Sequence, residues 1–133
     1  MKITRLDHVA FAVADLDAAL ALWERSLGLR PIHRERVDEQ KVEAAFLPVG
    51  DSTFELIAPT PGNGGVARFL EKRGAGLHHV CVEVDDIEGA LGELRASGVA
   101  LIDECARRGA RGHRIAFAHP KSFDGVLVEL LQA

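Results

Sequence analysis

Residues 7–23, DHVAFAVADLDAALALW, return at residues 78–94 as HHVCVEVDDIEGALGEL, and this internal repeat decides the fold. The offset of 71 residues carries His8 onto His79 and Asp15 onto Asp86. A repeat of this length that occurs only twice predicts one module duplicated within a small protein. Two histidines at equivalent points of two such modules are candidates for one shared site.

Each copy of the repeat begins as a strand and continues as a helix. Alternation over 8–13 predicts a strand in which His8 faces one side and three apolar residues face the other: Val9, Phe11 and Val13. Asp15 then predicts a helix N-cap, and apolar residues recur at helical spacing until Gly28. The second copy predicts the same strand after His78, with a helix that begins after Asp86 and ends at Gly98.

Strand-like runs complete each module, at about 31–37, 42–48 and 52–58 in the first and near 100–103, 113–118 and 125–131 in the second. Proline and glycine between them predict a linker, followed by a short helix at about 66–73. The expected fold class is α+β, with two tandem βαβββ modules forming a curved mixed sheet around a metal-binding cleft. We expect a single domain over 1–133: module one about 1–60, linker and short helix about 61–75, and module two about 76–133.

Composition is that of an ordinary globular protein, with 47% hydrophobic and 27% charged residues. The net charge of −4 argues against nonspecific binding of nucleic acid. No apolar run approaches the roughly 18 residues of a membrane span, and acidic residues interrupt the N-terminal apolar run too early for a signal peptide. We therefore expect a cytoplasmic protein with no membrane partner. Cys81 and Cys105 lack metal-finger or redox spacing.

Two lone carboxylates accompany the two histidines. Glu55 and Glu129 each interrupt an apolar final strand, and alternation points each away from the packing face. Their separation nearly equals the histidine offset, so the four residues occupy related positions in the repeat. An isolated buried carboxylate is costly unless it is paired or bound to a metal. Taken singly, each residue could be structural or solvated; together, His8, Glu55, His79 and Glu129 predict a shared divalent-metal site.

The remaining histidines and a basic stretch have weaker interpretations. His78 alternates to the packing side, which makes it a poor ligand candidate, and His33, His113 and His119 suit structural or surface roles. The basic stretch is either a solvated loop or a binding site for an anionic ligand, such as the phosphates of a large acyl carrier. Its members are Arg107, Arg108, Arg111, Arg114 and Lys121.

The segments DHVAFAV, FELIAP, GLHHVCVEVDDIE and HPKSFDGVLVEL resemble the vicinal oxygen chelate superfamily, and within it the methylmalonyl-CoA epimerase family. The resemblance implies a divalent metal, Co²⁺ first and Zn²⁺, Mn²⁺ or Ni²⁺ as alternatives, with the same four ligands: His8, Glu55, His79 and Glu129. It also implies an acyl-CoA substrate, a homodimer, and proton exchange at C2 through a metal-stabilised enolate.

Inversion at C2 needs a base on one face and an acid on the other. By resemblance, Glu129 is one candidate. Glu43 is the other, but an ungapped alignment puts Ala44 at the family's position, and Glu43 reaches it only if the strand slips by one residue. We also expect Lys121, Ser122 and Arg114 to bind the substrate.

Three relatives of the same fold are rival interpretations. A glyoxalase I-type lactoylglutathione lyase has the same ligand types and also removes a proton beside a metal-bound oxygen. Extradiol dioxygenases use two histidines and one glutamate around iron, so Glu55 as a fourth ligand counts against them. Non-catalytic small-molecule-binding proteins, such as those that sequester antibiotics, lack the intact metal-ligand set.

Overall fold

The computed structural model describes all 133 residues. Three α-helices and eight strands follow one another in the order β1 Ile3–Ala12, α1 Leu16–Leu27, β2 His33–Val37, β3 Val42–Val49, β4 Ser52–Pro59, α2 Gly65–Arg73, β5 Gly76–Val84, α3 Ile87–Ala96, β6 Arg107–Arg108, β7 Arg114–Ala118 and β8 Val128–Gln132. Strand, helix and three strands thus occur twice, with α2 between the two sets. The predicted α+β class and paired βαβββ modules are confirmed.

The chain divides into two compact units whose bounds differ from those of the sequence modules at the first strand and around residues 61–78. One, the split unit, combines Met1–His8 with His79–Ala133; the other, the continuous unit, is Val9–His78. Strand β1 contributes its first residues to the split unit and its last to the continuous unit. None of the helices combines the length and the apolar character that crossing a membrane requires.

In the continuous unit, the strand order is β2-β3-β4-β1, and β3 pairs antiparallel with both β2 and β4. Helix α1 starts where the Asp15 side chain accepts a hydrogen bond from the Ala18 N–H, and it ends at Gly28 with φ of 70°. Its apolar side covers one face of these strands, with the buried core Val13, Leu16, Ala19, Ala45, Leu47, Leu56 and Ala58.

In the split unit, the strand order is β1-β5-β8-β7-β6. Strands β5 and β8 are parallel, whereas β7 pairs antiparallel with both β8 and β6, so this sheet is mixed as predicted. Helix α3, capped by Asp86, covers one face with the buried core Val84, Ile87, Ala90, Leu91, Ala116 and Leu130. The opposite face is therefore free of the helix, and it carries the residues described below.

Two predicted strands of the second module are corrected. Segment 100–103 forms only an isolated bridge, between Leu101 and Ala118, because the Asp103 carboxylate takes the Phe117 N–H that a longer ladder would use. The short strand lies instead at Arg107–Arg108. Strand β8 begins at Val128 rather than near 125, since Gly125, with φ of 88°, still belongs to the preceding turn.

Candidate metal centre

Three neighbouring strands of the split unit each carry one buried polar side chain. They are His8 on β1, His79 on β5 and Glu129 on β8, each only 4 to 5% exposed. The parallel β5–β8 register sets Cys81 opposite Glu129, so strand alternation puts His79 on that same face. This is the face opposite α3. The two histidines and one of the two glutamates predicted from the repeat are thus brought together.

The donor atoms of these three side chains are spaced like ligands of one ion. Nε2 of His8 lies 3.2 Å from Nε2 of His79 and 3.1 Å from Oε1 of Glu129. Oε1 of Glu129 lies 3.5 Å from Nε2 of His79. In a tetrahedral site with metal–ligand bonds of roughly 2.0–2.1 Å, two ligand atoms are about 3.3–3.4 Å apart. The observed distances are close to this ligand–ligand distance, so the three side chains can bind one ion without moving.

The chemistry of the donor set also fits a cation. Oε1 of Glu129 is buried and, although both imidazole nitrogens are close, it accepts no hydrogen bond of acceptable geometry. Such an orphaned acceptor is costly unless something positive binds it. Burial acts to raise the pKa of Glu129, but His79 and His8 more than offset it and hold that pKa below its usual value. Glu129 is therefore an anion, and the three residues fit a divalent metal ion.

An apolar wall surrounds the three donors. Phe117 lies opposite Glu129 in the β7–β8 register, and its ring meets the His79 ring edge-on at 5.3 Å. Cys81, Phe117 and Leu131 belong to one buried cluster on this face. Burial raises the pKa of the Cys81 thiol, which keeps it a neutral apolar neighbour. Electrostatic interactions in such surroundings are stronger than in water.

Asp7 is a functional candidate that sequence reasoning did not consider. Its Oδ2 lies 2.8 Å from Nδ1 of His8, the ring nitrogen that faces away from the other two donors. Burial acts to raise the pKa of Asp7, but the bond to His8 and the charges of its neighbours lower it overall. The available signal was the Asp7-His8 pair itself, a carboxylate directly beside a predicted ligand.

Glu55 belongs to the continuous unit. It is 7% exposed and lies on β4 opposite Phe46 of β3. Phe54 and Leu56, on either side of it, belong to the cluster packed under α1. Glu55 therefore lies on the strand face that α1 does not cover, as predicted from the alternation.

The β3–β4 register corrects the placement of Glu43. Glu43 pairs with Ala58, and so lies on the face that packs under α1. Ala44 pairs with Ile57 and shares the face of Glu55. The Glu43 carboxylate is 2.6 Å from Arg34, whose guanidinium also lies 2.7 Å from an aspartate of α1. Glu43 thus serves as an ion-pair partner on the helix side, because the one-residue slip that its catalytic role requires does not occur.

The three residues expected to bind substrate have these neighbours. Arg114 forms an ion pair with Glu88 of α3. The Ser122 hydroxyl accepts a hydrogen bond of 2.9 Å from the Ala100 N–H. Lys121, beside it in the chain, lies in a short 3₁₀ turn from Pro120 to Ser122. The hydroxyl hydrogen of Ser122 stays available to a ligand.

His33, His78 and His119 make contacts that suit structural or surface roles. His33 stacks on Phe46 with ring centroids 5.6 Å apart, and it pairs with a neighbouring glutamate. His119 accepts a hydrogen bond from the Lys121 N–H through Nδ1. The His78 ring packs edge-on against Phe69 of α2, which agrees with its predicted packing-side position.

Comparison with known proteins gives a family for this fold and site. Residues 7–117 match the model of the glyoxalase/bleomycin resistance protein/dioxygenase superfamily. The ethylmalonyl-CoA/methylmalonyl-CoA epimerase of Cereibacter sphaeroides is 39% identical over 132 residues, covering 98% of both chains. The crystal structure of methylmalonyl-CoA epimerase from Mycobacterium tuberculosis is 41% identical with a TM-score of 0.92, over 98% of this chain and 88% of that one.

A third relative was solved with a ligand. It is a variant of the Streptomyces coelicolor methylmalonyl-CoA epimerase in complex with 2-nitronate-propionyl-CoA, 35% identical with a TM-score of 0.93, over 99% of this chain and 96% of that one. The resemblance stated from the sequence motifs is confirmed over nearly the full length. The chain belongs to the glyoxalase/bleomycin resistance protein/dioxygenase superfamily and, within it, to the family of the methylmalonyl-CoA epimerases.

Proposed function

We propose that this protein is a metal-dependent epimerase that interconverts the two C2 epimers of methylmalonyl-CoA. The observation that carries the proposal is the set of three buried donor atoms, 3.1 to 3.5 Å apart, in a member of this family. The relatives' names and the ligand of the Streptomyces coelicolor protein support an acyl-CoA substrate. Reaction at C2 needs only proton transfer and charge stabilisation, and both suit a buried carboxylate beside a cation.

In this proposal, His8, His79 and Glu129 hold the ion. Glu55 as a fourth ligand stays a prediction from the sequence, supported by its burial between apolar neighbours on β4. Two imidazoles with one or two carboxylates suit several first-row ions. We expect Co²⁺ first, with Zn²⁺, Mn²⁺ and Ni²⁺ as alternatives. When bound, the ion supplies Lewis-acid stabilisation of the negative charge that develops as the C2 proton leaves.

The protein's own residues handle the proton and exclude water. Glu129 is ionised and, as a ligand that can shift off the ion, is the candidate to accept the C2 proton, while the electron pair of the C–H bond delocalises onto the thioester carbonyl. Return of a proton to the opposite face of C2 inverts the centre. Phe117 and Leu131 make the surroundings of Glu129 apolar, which strengthens its interactions with charge. The group on the opposite face is left unassigned, because Glu43 lies on the helix side of its sheet.

The remaining expectations concern location and partners. Lys121, Ser122 and Arg114 stay the predicted contacts of the acyl-CoA. A homodimer in the cytoplasm, without nucleic-acid or membrane partners, likewise stays a prediction. Size-exclusion chromatography with light scattering, run with and without the metal, measures the oligomeric state directly.

Deuterium exchange tests the proposed function. Metal-loaded protein is incubated with one epimer of methylmalonyl-CoA in D₂O, and both deuterium at C2 and stereochemistry are followed. We expect deuterium uptake with epimerisation, lost on chelation and restored by Co²⁺. Glu104→Gln, a change at an exposed carboxylate of the same unit, is the matched control and should keep full activity. Metal binding without exchange would reject this substrate, and the glutathione hemithioacetal of methylglyoxal, the lactoylglutathione lyase substrate, would be assayed next.

A further inference from the structure

A chain of polar contacts runs from the surface of the split unit to the back of His8. Asp7 uses both carboxylate oxygens: Oδ2 lies 2.8 Å from Nδ1 of His8, and Oδ1 accepts a hydrogen bond of 2.8 Å from Arg5. Nε of Arg5 donates to Glu83 at 3.0 Å, and the Thr4 hydroxyl donates to the same carboxylate. The chain ends at Nδ1 of His8, on the far side of the ring from Nε2.

The bond from His8 to Asp7 determines which ring nitrogen carries the hydrogen. A neutral imidazole has one N–H, and an ionised carboxylate accepts hydrogen bonds but cannot donate them. Nδ1 must therefore carry the hydrogen that it donates to Asp7. A metal ion that replaces any hydrogen on Nε2 therefore leaves the ring neutral with its N–H at Nδ1, and it is Nε2 that lies beside His79 and Glu129. A metal ligand needs a lone pair on that nitrogen.

We infer that Asp7 is a positioning residue for the metal centre: it holds His8 in the Nδ1–H form and aims Nε2 at the ion. The inference rests on the proposed metal site and extends it to a residue that touches neither the ion nor the substrate. Carboxylates in this position orient ligating histidines and raise their basicity. Arg5 in turn holds Asp7 in place through the second carboxylate oxygen.

A purely structural role explains the arrangement less well. Arg5 is 44% exposed, and an ion pair at such a surface contributes little to stability. Asp7 itself is only 14% exposed and directs its second oxygen inward, to His8. The repeat does not require an acid here either, because the offset of 71 residues places His78 at the equivalent position. The His78 ring packs on Phe69, so the second module uses this position differently.

The test combines a structural readout with a binding readout, neither of which uses enzyme activity. Metal-free protein labelled with ¹⁵N at histidine reports the tautomer of His8 by NMR, with assignment by His8→Gln. Titration with Co²⁺, followed by its visible absorption, gives Kd and the coordination spectrum. The variants are Asp7→Ala and Asp7→Asn. The control is Asp86→Ala, which removes an equally short acid from the same unit but breaks only a helix cap.

In the metal-free protein we expect Nδ1 of His8 to carry a hydrogen in the wild type and to lose it in Asp7→Ala, where Glu129 still faces Nε2, with Kd weakened about 10- to 100-fold. Asp7→Asn keeps the shape and an acceptor oxygen without the charge, so it should weaken metal binding less than Asp7→Ala does. If Asp7→Ala does not fold, Asp7→Asn is the variant that tests the inference. Asp86→Ala should lower stability and leave both readouts unchanged. An unaltered tautomer and Kd in the folded Asp7 variants, or a wild type that binds no ion, would overturn the inference. A protein that binds Co²⁺ but does not epimerise would refute the proposed function alone.

Discussion

Divalent metal should raise the melting temperature of this protein, and Glu129→Gln should remove most of that rise. The three donor atoms already lie 3.1 to 3.5 Å apart on three strands, so binding requires no folding step that would consume the binding free energy. Because the unfolded chain lacks this arrangement, the ion binds the native state and stabilises it by mass action.

The size of the effect follows from the length of the chain. At about 100 times Kd, a ligand specific for the native state adds about 2.7 kcal/mol to the free energy of unfolding. The entropy of unfolding of 133 residues is about 0.28 kcal/mol/K at roughly 60 °C. The melting temperature should therefore rise by about 10 °C.

Glu129→Gln keeps the shape of the side chain but removes the charge that faces both imidazoles. If the change weakens Kd about 100-fold, the same metal concentration contributes only about 0.4 kcal/mol, or about 1.5 °C. Glu104→Gln should keep the full rise, because its carboxylate is exposed and paired with Arg95 at the surface.

Differential scanning calorimetry on chelator-treated protein, with Co²⁺ restored in steps, measures both shifts. Isothermal titration supplies Kd independently, so the concentration scale is not fitted to the melting data. A wild type that shows no shift with Co²⁺, Zn²⁺, Mn²⁺ or Ni²⁺ would refute the metal site. A full rise in the melting temperature of Glu129→Gln would show that Glu129 is not a metal ligand. The two buried histidines would then need a different explanation.

Three further predictions concern the substrate, the second base and the core. Glu43→Ala should leave the C2 exchange rate nearly unchanged in the deuterium assay, since Glu43 faces α1; a loss of about 10²-fold, usual for a missing acid or base, would restore it to the mechanism. Lys121→Met should raise KM for methylmalonyl-CoA with little change in kcat if Lys121 binds the phosphates, and an unchanged KM would place them elsewhere. Leu91→Ala, at a fully buried position of α3, should lower the free energy of unfolding by about 2–5 kcal/mol in urea titrations.

Local patterns predicted most of the fold because its determinants lie close together in sequence. Asp15 and Asp86 each accept a hydrogen bond from an N–H three residues on, and both helices begin where those caps require. The facing of His8, His79 and Glu129 followed from the period of two along each strand. The symmetry of the repeat then predicted that the two histidines, which lie in different segments of the sequence, belong to one site.

The features that the sequence did not predict had three separate causes. Asp103 takes the N–H of Phe117, 14 residues away, and so shortens a ladder that looked continuous in sequence. The facing of Glu43 depended on the register of β3 against β4, which alternation within one strand cannot fix. Asp7 escaped notice because its importance comes from its bond to His8 rather than from any pattern of its own type.

The parallel pairing of β5 with β8 links metal binding to the correct alignment of β8 in the sheet. A shift of β8 by one residue would turn Glu129 toward α3 and bring Val128 or Leu130 to its place on the other face. Such a misaligned sheet would still bury apolar side chains on both faces, since β8 is apolar on either side of Glu129. It would, however, lose one of the three donors. The bound ion would thus select the correct strand alignment, and metal stoichiometry would measure the correctly aligned fraction of refolded protein.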